Sequence, residues 1–140
     1  MRKTAQDAEL RAAAAQARRR AYAPYSSFKV GAALRLRDGR VISGANVENC
    51  SYGLTMCAER NAIAAAVIGG AKPGDIVAVA IVTRATSPSA PCGACRQVLA
   101  EFCGPATRVL MHNLADGRTL RRTLRALLPW AFRPENMPRR

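Results

Sequence analysis

Three cysteines in two short segments are the residues of this sequence most able to carry out chemistry. Cys57 begins the segment CAER, and Cys92 and Cys95 form a Pro-Cys-x-x-Cys pair about 35 residues later. Each segment is predicted to begin a helix, and cysteines three residues apart on a first helical turn point in the same direction. The positive end of a helix also lowers the pKa of a thiol. The sequence therefore predicts that two helix N-termini bring three thiolates to one metal ion.

Three thiolates favour Zn²⁺ and leave its fourth position open for water, which is the pattern of a catalytic zinc site. Glu59 would close that position if it were a ligand, so we interpret it as the group that accepts and donates protons beside the metal. Arg60 lies three residues after Cys57 on the same helical face, where its charge can compensate the excess negative charge of the thiolates. These residues predict a hydrolytic zinc enzyme.

A closed structural zinc site is the main alternative, and it would need a fourth protein ligand. Cys50, Cys103 and His112 are the candidates for that ligand. Cys103 falls on the apolar face of a predicted helix, which is typical of a small core residue. Cys50 lies in the connection before the first metal helix, and His112 lies near a turn. A structural site would also leave Glu59 without a function, so the catalytic interpretation is favoured.

Patterns of apolar residues predict the elements that position these segments. Helices are predicted over residues 5–22, 57–68, 92–103 and 124–128, and strands over 28–36, 40–43 and 76–83, with one or two more from residue 108 onwards. The first two strands form an antiparallel hairpin, whereas the strand–helix alternation that follows predicts parallel neighbours. The expected fold is one α/β domain over residues 1–140, a three-layer α/β/α sandwich with a mixed sheet of about five strands.

The net charge of +13 raises the question of an anionic partner. The excess lies mainly in residues 1–22 and 118–140, and nearly all of the basic residues are arginines. Because alanine is also abundant, we interpret this bias as solvated surface and GC-rich codon use. Aromatic residues make up only 5% of the chain, too few for a surface on which nucleic-acid bases stack. A nucleic-acid partner is therefore not expected.

The sequence also predicts a location in the cytoplasm. No apolar run approaches the ~20 residues of a membrane span, and the first ten residues are charged rather than signal-like. An odd number of cysteines, five, argues against a disulfide framework.

The metal motif is accompanied by matching stretches over almost the whole chain. They are AYAPYS (21–26), FKVGAAL (28–34), NVEN (46–49), CAER (57–60), PCGACRQ (91–97) and LLP (127–129). In these stretches the chain resembles the cytidine deaminase family, small homotetrameric zinc enzymes that act on free nucleosides. The resemblance implies hydrolysis of cytidine and deoxycytidine to uridine and deoxyuridine, with release of ammonia, as part of pyrimidine salvage.

The resemblance also implies roles for individual residues besides the zinc ligands and Glu59. Asn46 and Glu48 would hold the ribose hydroxyls, and Phe28 would pack against the pyrimidine ring. The backbone of Ala58 would contact the edge of the base. Phe132 would close over the active site of a neighbouring subunit in the homotetramer.

Some alternatives stay open at this point. Tyr52 is a second candidate for the junction between subunits, and both Phe28 and Phe132 have packing roles as their alternative. The substrate has two alternatives, another aminopyrimidine nucleoside or antibiotic, and cytosine in a nucleic acid. The non-enzymatic alternative is a binding module that is stabilised by a structural zinc ion.

Overall fold

Five strands form one sheet, and helices lie on both of its faces. The computed structural model describes residues 1–139. The helices are α1 (Arg2–Arg18), α2 (Ala58–Ile68), α3 (Gly93–Phe102) and α4 (Leu124–Leu127), and the strands are β1 (Gly31–Leu36), β2 (Val41–Ala45), β3 (Ile76–Thr83), β4 (Cys103–Asn113) and β5 (Thr119–Thr123). None of the helices in this part of the chain is long and apolar enough to cross a membrane.

The order of the strands across the sheet is β2-β1-β3-β4-β5. β3 and β4 are parallel, and the other neighbours are antiparallel. The central strand β3 has the sequence IVAVAIVT and is buried along almost its whole length. A strand covered on both faces needs such a continuous apolar run, because neither face meets water. The predicted mixed sheet is confirmed.

Two separate hydrophobic cores lie on the two faces of the sheet. On one face, Leu10 and Ala14 of α1 pack against Ala33, Ala80 and other small residues. On the opposite face, α2, α3 and α4 cover a larger core that includes residues of β1, β3 and β4. The predicted α/β sandwich is therefore confirmed, with α1 as one outer layer and the helices that begin at the cysteines as the other.

The arginine-rich parts of the chain meet on the α1 side of the sheet. Asp7 of α1 is only 6% exposed, and its carboxylate lies 2.6 Å from a guanidinium nitrogen of Arg108. Arg121 of the edge strand β5 is 3.8 Å from the same carboxylate. A buried acid between two arginines attaches α1 to β4 and β5 and offsets part of the local positive charge.

The largest differences from the sequence-based boundaries lie at the starts of β1 and β4 and at the end of α1. α1 ends at Arg18 rather than near residue 22, because the backbone of Tyr22 pairs with the segment around Val47. β1 begins at Gly31 rather than at residue 28. β4 begins at Cys103, which the sequence placed in the preceding helix; its backbone is extended and pairs with Ile76. Cys103 is nevertheless buried in the core, as predicted.

Gly44 of β2 determines how closely α2 approaches the sheet. A Cβ atom at this position would lie 2.5 Å from the amide nitrogen of Ala62 and 2.7 Å from the carbonyl oxygen of Ala58. We expect Gly44→Ala to lower the free energy of unfolding by about 1–3 kcal/mol, because α2 must move away from the sheet. Urea unfolding at fixed protein and zinc concentrations measures this change.

Gly53→Ala is the matched control, because nothing lies within 4 Å of the added methyl group. Equal stabilities of the two variants would show that α2 does not rest on Gly44.

Candidate metal centre

Three cysteine side chains from two helix N-termini meet at one point. Cys57 and Cys92 are the residues immediately before α2 and α3, and Cys95 lies in the first turn of α3. Their Sγ atoms all lie within 4.8 Å of one another, and those of Cys57 and Cys92 are 3.9 Å apart. The structure brings together the three residues that the sequence singled out.

This set of donors fits Zn²⁺. Thiolates are preferred ligands of zinc, and three of them leave one of its four positions free. Within residues 1–139, no other histidine, cysteine or acidic side chain joins the cluster. Cys103 lies in the core, Cys50 is exposed, and His112 is hydrogen-bonded to Thr119. The fourth ligand that a closed structural site needs is therefore missing from the described residues.

The charge environment favours thiolates at this point. The pKa of Cys57 falls to about 5, chiefly because of the neighbouring Cys95 thiol, with a further contribution from Arg60. A guanidinium nitrogen of Arg60 donates to Cys57 Sγ at 3.3 Å. The pKa of Cys95 is raised by the neighbouring Cys57, by burial and by the carboxylate of Glu59. A divalent cation would supply the positive charge that a third thiolate requires.

Glu59 is buried beside the cysteines, with only 4% of its surface exposed. It lies in the first turn of α2, and its Oε2 accepts a hydrogen bond from the Cys95 thiol at 3.2 Å. Burial raises the pKa of this carboxyl, because the charged form loses its hydration. Glu59 is thus next to the three thiols without belonging to the cluster of possible ligands.

A cavity of about 250 Å³ opens beside the cysteines. Its walls come from the turn before β1, the end of β2, the start of α2 and the segment between β3 and α3. The lining residues are Ser26, Phe28, Val30, Asn46, Glu48, Thr55, Cys57, Ala58, Glu59, Ile81, Thr83, Ser89, Ala90 and Cys92. A cavity that is mostly apolar, with a few polar groups converging on it, is typical of a site for a small molecule.

Four of the five residues predicted to bind substrate line this cavity. Phe28 is about half-exposed at its wall, and Ala58 begins α2. Asn46 is buried, and its amide accepts from the Val30 N–H and donates to the Phe28 carbonyl, both at 2.8 Å. These two bonds hold the segment before β1 against the end of β2.

Glu48 is held by the turn that precedes Phe28. One carboxylate oxygen accepts from the N–H groups of Tyr25 at 2.9 Å and Ser26 at 3.1 Å, and the other accepts from the Ser26 hydroxyl. The hydrogen bond from the Ser26 hydroxyl is the main reason why the pKa of Glu48 is lowered. A carboxylate with several donors stays ionised and keeps a fixed orientation.

The structure does not bring Phe132 into the cavity of its own chain. Phe132 is 61% exposed and follows α4, where its carbonyl accepts a hydrogen bond from Gln97. Tyr52 is also exposed and packs its ring 5.7 Å from that of Tyr25, at the mouth of the cavity. The intersubunit roles of Phe132 and Tyr52 stay predictions.

Sequence reasoning gave no role to the four hydroxyl residues of the cavity, Ser26, Thr55, Thr83 and Ser89. Thr83 is the last residue of β3, and its Oγ1 lies 3.3 Å from Oγ of Ser89 in the connection to α3. The carboxyl end of a parallel strand is where α/β proteins place their ligands, so the position of Thr83 was a usable signal. Ser26 carried no such signal, because only the folded turn places it beside Glu48.

Comparisons with known proteins agree with this geometry. Residues 4–112 match the family described as the cytidine and deoxycytidylate deaminase zinc-binding region. A cytidine deaminase of Halalkalibacterium halodurans is 53% identical over 124 residues, which cover 89% of this chain and 92% of that protein. A cytidine deaminase of Mycobacterium tuberculosis is 46% identical over 130 residues, with coverage of 93% and 92%.

Solved structures show the same likeness. The crystal structure of a cytidine deaminase from Burkholderia pseudomallei superimposes with a TM-score of 0.86 at 50% identity and covers 89% of this chain and 98% of that one. A second crystal structure, of a cytidine deaminase from Mycobacterium leprae, gives a TM-score of 0.74 at 42% identity, with coverage of 87% and 96%.

The metal centre can be tested by the zinc content of cysteine variants. Purified protein should contain about one zinc ion per chain, and Cys92→Ala or Cys95→Ala should lose most of it, because a site with two thiolates holds the metal less tightly. The same variants should unfold at a lower temperature, since metal binding contributes to folding. Elemental analysis and thermal unfolding measure the two effects.

Cys50→Ala is the control, since Cys50 is exposed and lies outside the cluster. Full zinc content in Cys92→Ala would show that the metal is held elsewhere.

Proposed function

The chain belongs to the cytidine and deoxycytidylate deaminase zinc-binding family, and on this basis we propose that it hydrolyses cytidine and deoxycytidine to uridine and deoxyuridine with release of ammonia. The observation that carries this function is the meeting of three thiols with the buried carboxyl of Glu59 at one end of a cavity. We also infer that residues 1–140 form one domain of this family, because both cores pack against a single sheet.

Cys57, Cys92 and Cys95 would hold Zn²⁺, which would make a water molecule nucleophilic enough to attack the ring carbon that bears the amino group. The N-termini of α2 and α3 and the guanidinium of Arg60 stabilise the three thiolates. The positive charge of Arg60 offsets part of the negative charge on the Cys57 thiolate. The thiolate then donates less charge to the metal, so the metal remains a stronger Lewis acid. This gives Arg60 an indirect role in catalysis.

Glu59 is the group that moves protons in this proposal. Its carboxylate takes a proton from the attacking water and passes it to ring nitrogen N3. It then takes the second proton from the hydroxyl now on the ring carbon and gives it to the amine, which leaves as ammonia while that carbon becomes the carbonyl. Burial raises the pKa of Glu59, which brings the group nearer to the pH at which it can both accept and donate. Its position in the first turn of α2 fixes it beside the ligand Cys57.

The nucleoside lies along the cavity with its base toward the cysteines and its sugar toward Glu48. Phe28 packs against the pyrimidine ring, and Asn46 and Glu48 bind the ribose hydroxyls. Ala58 is the first residue of α2, so its N–H has no partner within the helix and can donate to the base. Binding energy from the sugar end positions the ring for attack at the opposite end.

Glu59→Gln tests the proton transfers directly. The glutamine keeps the size and hydrogen-bonding capacity of the side chain but cannot accept and return a proton. General acid–base groups contribute ~10²–10⁴-fold, and this one serves at least two transfers, so we expect kcat to fall by about 10⁴-fold or more. Zinc content and fold should be unchanged. The decrease in absorbance as cytidine is converted to uridine gives the rate.

Glu101→Gln, the same substitution at an exposed residue of α3, is the matched control. Turnover near the wild-type rate by zinc-loaded Glu59→Gln would exclude the proposed mechanism, and loss of zinc would identify Glu59 as a ligand.

We further propose a homotetramer in which Phe132 covers the cavity of a neighbouring subunit. Its support is a set of exposed apolar side chains. Tyr25 and Tyr52 lie beside Ser26 and Glu48 of the cavity, and Val47, Leu54, Trp130 and Phe132 are also exposed. Side chains of this kind are typical of surfaces that are covered in an assembly. A location in the cytoplasm also stays a prediction of this proposal.

Phe132→Ala should raise KM for cytidine by about tenfold, because the cavity loses an aromatic cover worth on the order of 1–2 kcal/mol. Zinc content should be unaffected, since Phe132 is not near the cysteines in its own chain. Light scattering should give a wild-type mass about four times the 15.0 kDa of the chain. A fully active monomer would contradict the shared site, and Met137→Ala, an exposed apolar residue of the same segment, is the control.

A further inference from the structure

The turn before β1 presents several donors to one carboxylate. Its backbone closes with a hydrogen bond from the Ser27 N–H to the Ala23 carbonyl at 3.0 Å, and Ser27 has a left-handed φ of 57°. Left-handed backbone in a residue other than glycine costs free energy and persists where the surroundings require it. Here it directs the N–H groups of Tyr25 and Ser26 toward Glu48.

The hydroxyl of Ser26 connects two parts of the cavity. It donates to Oε2 of Glu48, and its oxygen accepts a hydrogen bond from the Phe28 N–H at 3.0 Å. A serine hydroxyl has one hydrogen to donate and lone pairs to accept with, so both bonds form at the same time. Ser26 therefore lies between the carboxylate at the sugar end and the aromatic residue at the ring.

The carboxylate keeps acceptor capacity for a ligand. Oε1 of Glu48 is used by two N–H groups, whereas Oε2 accepts only from the Ser26 hydroxyl. A carboxylate oxygen can accept two hydrogen bonds, so Oε2 retains one for a group in the cavity. The direction of that free lone pair is determined by the bond from Ser26.

We propose that Ser26 is a positioning residue for nucleoside binding: its hydroxyl orients Glu48 toward the ribose and couples that orientation to the position of Phe28. This inference rests on the proposed function, in which Glu48 binds the sugar and Phe28 the base. Without the hydroxyl, Glu48 is held only at Oε1, by the N–H groups of Tyr25 and Ser26, so Oε2 loses its fixed direction and must be ordered again when the sugar binds. That ordering costs affinity for every substrate that carries a ribose.

The test is a double-mutant cycle between Ser26 and Glu48. Ser26→Ala should raise KM for cytidine about tenfold with little change in kcat, as expected for a neutral-to-charged hydrogen bond that acts on binding. In the Glu48→Ala background the same substitution should change KM by less than about threefold, because the carboxylate it orients is gone. Ser26→Thr, which keeps the hydroxyl, should recover most of the loss.

Two comparisons separate positioning from general stability of the turn. Ser43→Ala, the same substitution at an exposed serine of β2 outside the cavity, should leave KM unchanged. Turnover of free cytosine, which has no ribose, should fall less in Ser26→Ala than turnover of cytidine does. Ser26→Cys provides a second variant of similar size with a weaker donor, should Ser26→Ala fail to fold.

An equal rise in KM on Ser26→Ala in the wild-type and Glu48→Ala backgrounds would overturn the inference. So would an equal loss of turnover with cytosine and with cytidine. Either result would mean that Ser26 only stabilises the turn. Calorimetry of uridine binding to the same four proteins of the cycle compares their affinities for a ribose-containing ligand without turnover. Failure of the wild type to deaminate cytidine would refute the proposed function, whereas a failed cycle in an active enzyme refutes only the role of Ser26.

Discussion

The mutual repulsion of three thiolates is the constraint on which the rest of the structure depends. Such a group forms only where positive charge is already in place, and a small chain has few ways to supply it. This protein uses two helix N-termini and the guanidinium of Arg60, which donates to Cys57 at 3.3 Å. The helices α2 and α3 must therefore converge, and the sheet beneath them must hold the angle between them.

The central strand β3 provides the support for this arrangement. It is buried on both faces and pairs with β1 on one side and with β4 on the other. Its last residue, Thr83, already lies at the cavity, and the connection that follows it leads directly to Cys92. The sugar end of the site depends on a different part of the fold, the turn before β1 and the segment after β2, joined through Asn46 and Glu48.

The metal centre could be predicted from the sequence because it depends on residue type and local spacing. Cys92 and Cys95 face the same way on any helix, and Glu59 follows Cys57 at the start of another. The mixed sheet was also predictable from local order, since a short turn joins β1 and β2 as an antiparallel hairpin and a helix separates the parallel strands β3 and β4. The start of β4 was not, because Cys103 joins the strand through its pairing with Ile76, a contact between distant parts of the chain. Ser26 was missed for the same reason, since its partner Glu48 is 22 residues away.

The contact at Gly44 has a consequence for how the site can fluctuate and diverge. Where α2 crosses β2, the backbones of Ala58 and Ala62 rest against a residue with no side chain. Most helix–sheet contacts are made by side chains that can change rotamer, so they absorb thermal motion and tolerate gradual change in size. A backbone-to-backbone contact has no such freedom, so Cys57 and Glu59 move only if the whole helix moves. In evolutionary terms, this contact can be kept or abandoned but not adjusted in small steps.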